Sequence, residues 1–288
     1  MKISEIFQKQ VKTFSFEFFP PKDEISAVEF GINIGQLMKL KPSFVSVTYG
    51  AGGSNQSKTF ALVDLIQNKL GITCMAHYTC INASKKKVKS DIEFLKSIGI
   101  ENLMLLRGDL PEGNNEYTNN DFKYASDLIS FVRQHGDFCI GAAAYPEKHP
   151  QSADEEIDLI NLKKKVDAGA DFLITQLFFN NDNYFRFIEK ARKKGIMVKI
   201  IPGLIPITNF HQIKRFAKIT GAIIPETLYK NIEKYSDDSH KIYKIGVEYA
   251  IEQAQELLEA GAPGIHFYTL NKSRATIEIF EELSRRGM

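Results

Sequence analysis

Eight short apolar runs alternate with longer charged segments of helical periodicity along the 288 residues of this chain. The runs read FSFEFF, FVSVTYG, TCMAHYTC, NLMLLRGD, CIGAAAYP, FLITQLFF, VKIIPGLIP and GIHFYTL. Strict alternation of strands and helices predicts a parallel sheet with helices packed outside it. An open, doubly wound sheet alternates in the same way, but eight units in a chain of this length favour an α/β fold of the (β/α)8 TIM barrel type.

Several helical segments end in glycine just before the next strand, where the left-handed conformation stops a helix at little cost. These glycines are Gly71, Gly99, Gly169, Gly195 and Gly261. The regular spacing breaks once, because the chain between Leu204 and Gly264 has room for extra helices before the last strand. Since no linker or low-complexity segment divides the chain, we expect residues 1–288 to form a single catalytic barrel domain with this insertion on its rim.

The charge balance argues against nucleic acid and membranes as partners. The formal net charge is +2, from 37 basic and 35 acidic side chains, so no strong field points toward a polyanion. The start, MKISEIFQKQVK, lacks the apolar core of a signal peptide, and no later apolar run is long enough to span a bilayer. Cys74, Cys80 and Cys139 form no CxxC pair and are expected to be buried thiols. These features predict a cytoplasmic protein.

Alternation within each run predicts which side chains face the barrel interior. In TFSFEFFPPK, three Phe side chains face the helices, so Ser15 and Glu17 face inward. The same rule turns inward Ser46 and Thr48; Met75, His77 and Thr79; Leu105, Arg107 and Asp109; Gly141, Ala143 and Tyr145; and Ile174, Gln176 and Phe178. Six polar side chains then lie near the carboxyl ends of their strands, the face that carries the active site in TIM barrels. They are Glu17, Thr48, His77, Asp109, Tyr145 and Gln176.

Taken singly, each of these residues has a structural interpretation. An inward Thr or Gln is more often hydrogen-bonded core, His77 more often a buried histidine, and Arg107 and Asp109 could neutralise each other. Six polar side chains at one height are harder to explain in this way, and together they indicate an active site. Burial among aromatic groups disfavours the charged form of Glu17, which suits a general acid, whereas pairing with Arg107 or a lysine is the structural alternative.

Metal and phosphate motifs are weak in this sequence. Glu17, His77 and Asp109 could bind a divalent ion, but no HxH or HExxH spacing exists, and we expect no metal. The Gly-rich stretch YGAGGS from Tyr49 to Ser54 is neither a Walker loop nor a dinucleotide fingerprint. From the residues alone, the prediction is a cytosolic barrel enzyme with an acid at its centre.

A set of motifs resembles the methylenetetrahydrofolate reductases, in order and at family spacing, from about Val11 to Ser273. The motifs are SFEFFPPK, FVSVTYGAGG, AHYTC, LMLLRGDLP, AAYPEKHP, LKKKVDAGADFLITQLFF, IIPGLIPITNF and HFYTLNK. The length resembles the bacterial form, a catalytic barrel alone. The resemblance implies a barrel that holds FAD non-covalently and reduces 5,10-methylenetetrahydrofolate to 5-methyltetrahydrofolate with NADH or NADPH. The implied mechanism is ping-pong hydride transfer through the flavin, within the one-carbon metabolism that serves methionine biosynthesis.

The resemblance also assigns roles residue by residue. Glu17 matches the general acid that helps to open the five-membered ring of the folate to an iminium, and Asp109 lies near flavin and pterin and favours that cation. The positions that match flavin-binding residues are Thr48, His77, Arg107, Gly108, Asp109, Tyr124, Ala125, Tyr145, His149, Asp158, Asn161 and Lys165. The positions that match substrate-binding residues, besides Glu17, are Gln176 for the pterin, Gln212 and Phe216 for folate and nicotinamide in turn, and Lys272.

Two other functions stay open at this stage. One is a flavin-free barrel lyase or aldolase that uses Glu17 as an acid–base, and the other is a non-catalytic barrel subunit of a redox complex. A homo-oligomer is expected only by analogy. No residue decides between NADH and NADPH, sets the length of the folate glutamate tail, or fixes the role of Lys272, where several bacterial relatives carry Arg.

Overall fold

A curved sheet of parallel strands forms the centre of the protein, whose computed structural model describes residues 1–49, 56–81, 83–109 and 121–288. Within these residues the strands are β1 Thr13–Phe18, β2 Phe44–Val47, β3 Cys74–Thr79, β4 Asn102–Leu106, β5 Cys139–Ala144, β6 Phe172–Thr175, β7 Lys199–Ile201, β8 Gly203–Leu204 and β9 Gly264–Tyr268. Their order in the sheet is β7-β6-β5-β4-β3-β2-β1-β9-β8. The parallel α/β barrel predicted from the sequence is confirmed.

The barrel closes through the predicted seventh run, which Pro202 divides into β7 and β8. Strand β7 pairs with β6, and β8 pairs with β9 in the register Gly203↔His266, so one stretch of chain joins the two edges of the sheet. Pro202 has no N–H to donate to a ladder. Its carbonyl oxygen still accepts from the backbone N–H of His266 at 3.0 Å. Nine strand segments therefore correspond to the eight predicted runs.

Helices cover the outside of the sheet and extend its rim. They are α1 Ile3–Lys9, α2 Glu24–Met38, α3 Gln56–Asp64, α4 Lys85–Ser97, α5 Ala125–His135, α6 Glu155–Asp167, α7 Asn181–Lys193, α8 Phe210–Thr220, α9 Glu226–Glu233, α10 Ser239–Glu259 and α11 Arg274–Arg285, and a π-helical turn, Leu65–Lys69, continues α3. The predicted extra helices before the last strand are confirmed as α9 and α10, which follow the regular barrel helix α8. In the described part of the chain, no helix has the length and apolar character needed to cross a membrane.

Local sequence explains where these helices begin and end. The side chains of Asp23, Ser84 and Asp154 accept hydrogen bonds from the first turns of α2, α4 and α6, as expected for N-caps. The five glycines predicted to end helices all have positive φ, for example 77° at Gly99. Cys74, Cys80 and Cys139 are buried and free, as predicted.

Two apolar layers hold the barrel together. The outer layer lies between strands and helices and contains Phe16, Phe18 and Tyr78. The inner layer fills the lumen with Phe44, Met75, Met104, Cys139, Phe172, Ile174 and Ile201, and α1 closes its base with Ile3, Ile6 and Phe7. Because the base is packed with side chains, ligands can enter only from the carboxyl ends of the strands.

The alternation rule is correct for β1, β2, β3 and β5 and wrong in part for β4 and β6. In β4, Met104 points into the lumen and Leu105 packs on the helix side, opposite to the prediction. Apart from Asn102 the strand NLMLL is apolar on both faces, and the predicted phase depended on Arg107 and Asp109, which lie beyond the end of the strand. Phe178 likewise follows the end of β6 and stacks on Tyr184 on the helix side, at 5.7 Å between ring centroids.

Candidate active site

Glu17 lies at the centre of the barrel mouth, near the end of β1, and is 7% exposed. Its Oε2 atom lies 3.5 Å from Nε2 of His77 and 3.7 Å from Nε2 of His266. Strand register produces this arrangement, because Glu17 pairs with Ser46 on β2 and with Tyr268 on β9. No Arg or Lys pairs with Glu17 in the described ranges, so the structural alternative of a stable ion pair with a permanent cation is not supported.

The surroundings of His77 favour its neutral form. Burial lowers its pKa from the usual value, the Glu17 carboxylate opposes that shift, and His266 adds to it. The approach of its Nε2 to Glu17 does not have hydrogen-bond geometry, and within the described residues this atom has no hydrogen-bond partner. His77 can therefore offer one ring nitrogen to a ligand at the mouth.

His266 is a residue of the site that the sequence reasoning missed. It is 1% exposed, its Nδ1 lies 2.8 Å from Oγ of Ser15, and its Nε2 lies 3.5 Å from Oγ of Ser46. The signal was present, because Ile265 and Phe267 on either side both pack on the helix side. The alternation rule that placed Glu17 would have placed His266 in the lumen as well.

Tyr268 lies two residues further along β9 and contributes to the wall beside Glu17. Its hydroxyl donates to the carbonyl of Thr175 at 2.6 Å. Burial raises the pKa of this phenol well above its usual value, and the neighbouring Glu17 and Tyr145 raise it further. Tyr268 therefore stays uncharged and orders the end of β6.

Two threonine hydroxyls beside His77 are also buried without a partner. These atoms are Oγ1 of Thr48 and Oγ1 of Thr79, and among the described residues neither has a hydrogen-bond partner. A buried polar group without a partner costs about 1–3 kcal/mol, so such groups usually face a bound molecule or water. Three such atoms in one part of the mouth indicate a binding site for a polar ligand.

A charged cluster lies next to this mouth, on the loops after β4 and β5 and on α6. Arg107 donates from Nη2 to Oε1 of Gln151 at 2.5 Å. Asp158 accepts from the backbone N–H of His149 at 3.1 Å and from Oγ of Ser152 at 2.9 Å. No ion pair joins Arg107 to Asp109 in the ranges that the structure describes, so mutual neutralisation is not observed.

Lys165 brings a buried amine to the same cluster. Its Nζ donates to the carbonyl of Ala143 at 2.5 Å. Burial lowers the pKa of Lys165 to about 8, and Asp158 opposes that shift. This ammonium lacks full compensation by nearby carboxylates, so an anion arriving at the cluster would stabilise its charged form.

Tyr145 and His149 form an aromatic pair between the cluster and the mouth, with ring centroids 4.5 Å apart. Burial raises the pKa of Tyr145 to about 12, with further contributions from Asp109 and Asp158. Burial lowers the pKa of His149, and Arg107 and Lys165 act in the same direction. The side chain of Gln176, just after β6, lies near this pair, and its Oε1 accepts from the backbone N–H of Leu177 at 2.9 Å.

The backbone after β4 carries its residues to the site by a turn. Gly108 has φ of 88°, and a Cβ at this position would lie 2.9 Å from Cβ of Thr79. Asp109, which follows, is exposed. The thiol of Cys80 contacts the carbonyls of Arg107 at 3.7 Å and Tyr124 at 3.8 Å. The start of α5, with Tyr124 and Ala125, therefore lies beside Arg107.

The remaining candidates lie further out. Asn161 is exposed on α6, three residues after Asp158 and four before Lys165, and so shares their helix face. Phe216 of α8 packs in a rim cluster that also includes Tyr268 and Leu270. In the part of the chain that the structure describes, no hydrogen bond or ion pair joins Gln212 or Lys272 to Glu17 or His77. The Gly-rich residues 50–54 lie outside the described residues.

Metal ligation receives no support from the described side chains. Among them, no group of three or more His, Cys, Asp and Glu residues is arranged so as to hold a metal ion. The expectation of a site without metal stays a prediction.

Three relatives of this chain are named as methylenetetrahydrofolate reductases. A protein from Buchnera aphidicola (subsp. Schizaphis graminum) called 5,10-methylenetetrahydrofolate reductase is 41% identical over 259 residues, which cover 90% of this chain and 87% of the relative. The Escherichia coli protein of that name is 38% identical over 272 residues, 94% of this chain and 90% of the relative. Methylenetetrahydrofolate reductase (NADH) 1 of Arabidopsis thaliana is 35% identical over 98% of this chain, which spans 50% of that relative.

A solved structure confirms the fold independently. It is that of a Clostridium thermocellum protein described as binding two copies of 5-methyl-5,6,7,8-tetrahydrofolic acid, with a TM-score of 0.68 over 99% of this chain and all of the other. Sequence identity is 14%, so this likeness concerns the fold alone. The family model for methylenetetrahydrofolate reductase matches residues 2–284. With the identities to the bacterial relatives, this match shows that the chain belongs to the methylenetetrahydrofolate reductase family.

Proposed function

We propose that this chain reduces 5,10-methylenetetrahydrofolate to 5-methyltetrahydrofolate, with FAD bound non-covalently and NADH or NADPH as the source of hydride. Family membership supports the overall reaction. The observation that carries the proposal is the setting of Glu17, a buried carboxyl with histidine neighbours at a mouth lined by unpartnered polar atoms. The cytoplasmic location and a homo-oligomeric state stay predictions.

The mouth fits the chemistry of a flavin dinucleotide. Three orphaned atoms, on Thr48, His77 and Thr79, could donate to or accept from a heteroaromatic ring. Arg107 and Lys165 would offset the charge of a diphosphate, and Asp158 could accept from ribose or adenine groups. Asp109, Gly108, Tyr124, Ala125, Tyr145, His149 and Asn161 complete the proposed flavin-binding set. When bound, the flavin supplies a carrier that takes hydride from the nicotinamide and passes it to the folate.

Glu17 is the proposed general acid of the folate step. Opening the five-membered ring breaks the bond between the methylene carbon and N10, and the electron pair left on N10 takes a proton. The other ring nitrogen, N5, then shares the positive charge of an iminium, and hydride addition to the methylene carbon yields the methyl group. The sum is one hydride and one proton per turnover. In the described ranges no Arg or Lys pairs with Glu17, which supports its assignment as the acid.

Asp109 is proposed to stabilise the transient cation. A carboxylate near the pterin lowers the energy of the iminium by Coulombic attraction, most strongly where water is excluded. Gln176 is proposed to hold the pterin, and Gln212, Phe216 and Lys272 to contact the rest of folate or nicotinamide. The packed base of the barrel leaves one open end, which supports the proposed ping-pong use of one face by both substrates. The folate named for the Clostridium thermocellum barrel supports a folate at this fold by analogy alone.

One experiment tests the proposal as a whole. The purified protein should be yellow, and anaerobic stopped-flow mixing with NADH or NADPH should bleach the flavin absorbance. A second mixing with methylenetetrahydrofolate should restore it with formation of 5-methyltetrahydrofolate. A colourless protein that does not take up FAD would favour the flavin-free lyase. A yellow protein that is bleached but not reoxidised by folate would contradict the folate assignment.

A further inference from the structure

Glu147 lies in the loop after β5, and none of the roles above uses it. It is partly buried, and among the described residues it forms no ion pair. Its Oε1 accepts from Nδ2 of Asn183 at 2.5 Å, and its two oxygens lie 3.3 and 3.2 Å from the backbone N of Ile223. Burial raises the pKa of Glu147, and both donors oppose that shift. A carboxyl held by two donors without a cation fixes the geometry of its neighbours.

The donor Ile223 marks the exit of α8. Helix α8 ends at Thr220, and Gly221 turns the chain with φ of 76°. A Cβ on Gly221 would lie 3.4 Å from Cγ of Pro150, so the exit of α8 packs on the same loop that carries Glu147. Within the described ranges, no other side chain from outside residues 209–224 hydrogen-bonds to this segment.

The loop after β5 is itself held in place by residues of the proposed flavin-binding set. His149 packs against Tyr145, and its backbone N–H donates to Asp158. Lys148 has φ of 74° and donates from Nζ to the carbonyl of Ser152 at 2.6 Å. Glu147 thus connects a braced loop to the helix that carries Gln212 and Phe216.

We propose that Glu147 is a positioning residue that anchors the exit of α8 to the loop after β5 and so sets the affinity for folate. The proposal rests on the proposed function, since it takes Gln212 and Phe216 to contact folate. In the described residues no hydrogen bond or ion pair joins Glu147 to Glu17 or His77, and its hydrogen bonds are with Asn183 and Ile223. Its carboxylate restricts the motion of α8, and a substrate that packs on α8 meets a surface already in place.

The chain offers a matched rescue for this test. In Glu147→Gln one oxygen becomes an NH2 group, a donor that must face either Nδ2 of Asn183 or the backbone N–H of Ile223, which are themselves donors. Adding Asn183→Asp to the same chain reverses the hydrogen bond between residues 147 and 183. The new amide at position 147 can then donate to the new carboxylate at position 183. Oδ1 of Asn183 accepts from Arg186, and an aspartate can keep that bond. In the double variant the amide of residue 147 can donate to residue 183 and its oxygen can accept from Ile223, so donor and acceptor are exchanged only between residues 147 and 183.

The experiment compares Glu147→Gln, the double variant and Glu155→Gln, a control that removes an exposed carboxylate paired with Lys190 of α7. Steady-state kinetics give KM and kcat for methylenetetrahydrofolate, and amide hydrogen exchange reports on residues 210–224. We expect Glu147→Gln to raise KM about 10-fold with kcat within about twofold, and to speed exchange at Ile223. The double variant should return both to within about threefold of the parent, and the control should match the parent.

Two results would overturn the inference. One is an unchanged KM and unchanged exchange in Glu147→Gln, and the other is a double variant that has the parental melting temperature but fails to recover KM. A parent protein without folate turnover would contradict the proposed function instead. In that case the exchange data alone still decide whether Glu147 holds α8.

Discussion

Oε2 of Glu17 lies 3.5 Å from Nε2 of His77, an imidazole whose pKa burial holds below its usual value. Glu17 therefore lies beside a histidine whose neutral form is favoured. In the described ranges it has no permanent cation, Arg or Lys, as an ion-pair partner. The pair also separates two proposed roles, since His77 has a ring nitrogen to offer a ligand and Glu17 is the proposed general acid.

Replacing Glu17 should affect only one half of the reaction. Glu17→Gln keeps the shape of the side chain and removes its acid, so we expect flavin content and reduction by nicotinamide to stay within about twofold, and folate reduction to slow by about 10²- to 10⁴-fold. Stopped-flow measurement of the two half-reactions in one preparation provides the internal control. Near-normal folate turnover by this variant would remove the general-acid assignment.

Asp109 should act through charge rather than proton transfer. Asp109→Asn removes a carboxylate close to Tyr145 and His149, so we expect folate reduction to slow by about 10-fold or more and the flavin potential to rise, because reduced flavin carries more negative charge. The matched control is Asp137→Asn, which removes a carboxylate paired with Lys2 in the loop before β5. An unchanged folate rate and potential in Asp109→Asn would count against the electrostatic role.

The alternation rule assigned the inward face correctly in the strands that have one polar face. In β1, aromatic residues alternate with Ser15 and Glu17, and that contrast sets the phase without ambiguity. In strand β4 only Asn102 is polar, the phase was taken from Arg107 and Asp109 beyond the strand instead, and Leu105 was placed in the lumen wrongly. Asp109 follows Gly108, whose positive φ is a feature of the turn after β4 and not of strand periodicity.

Long-range contacts account for what the sequence could not provide. The closure of the base by α1 depends on Ile3 meeting β-strand residues far along the chain, and no local pattern encodes that meeting. The bond between Glu147 and Ile223 joins residues 76 positions apart. The break at Pro202 was visible as a proline, but its use to join both edges of the sheet follows only from the observed pairing.

Lys165 should make diphosphate binding depend on pH. Its pKa is about 8 without a ligand, and a bound anion favours the charged form and raises that pKa. The complex therefore binds one more proton than the free protein above pH 8, so affinity should fall as pH rises, by up to about tenfold per pH unit. Titration calorimetry with FAD at about pH 7 and about pH 9.5 would measure this fall.

Two variants separate Lys165 from the other basic groups of α6. Lys165→Met should bind FAD more weakly at neutral pH and lose this pH dependence, because Arg107 keeps its charge throughout the range. Lys163→Met removes a lysine that pairs with Asp167, and it should keep the parental profile. A pH profile that persists in Lys165→Met would assign the proton to another group.

Gly203 should be intolerant of any side chain, because it lies where the barrel closes. A Cβ at this position would lie 2.3 Å from the carbonyl oxygen of Thr175 and 2.7 Å from the hydroxyl of Tyr268. The same three residues interlock through bonds from Gly203 N to Thr175 Oγ1 at 2.9 Å and from Tyr268 to Thr175. We expect Gly203→Ala to lower the free energy of unfolding by about 1–3 kcal/mol, since backbone must move to admit the methyl group.

Gly31→Ala in α2 is the matched control, because nothing lies within 4 Å of its Cβ position. Its free energy of unfolding should rise by up to about 1 kcal/mol. Urea unfolding of both variants measures the two changes, and equal stability of Gly203→Ala and the parent would mean that β8 can shift without opening the barrel.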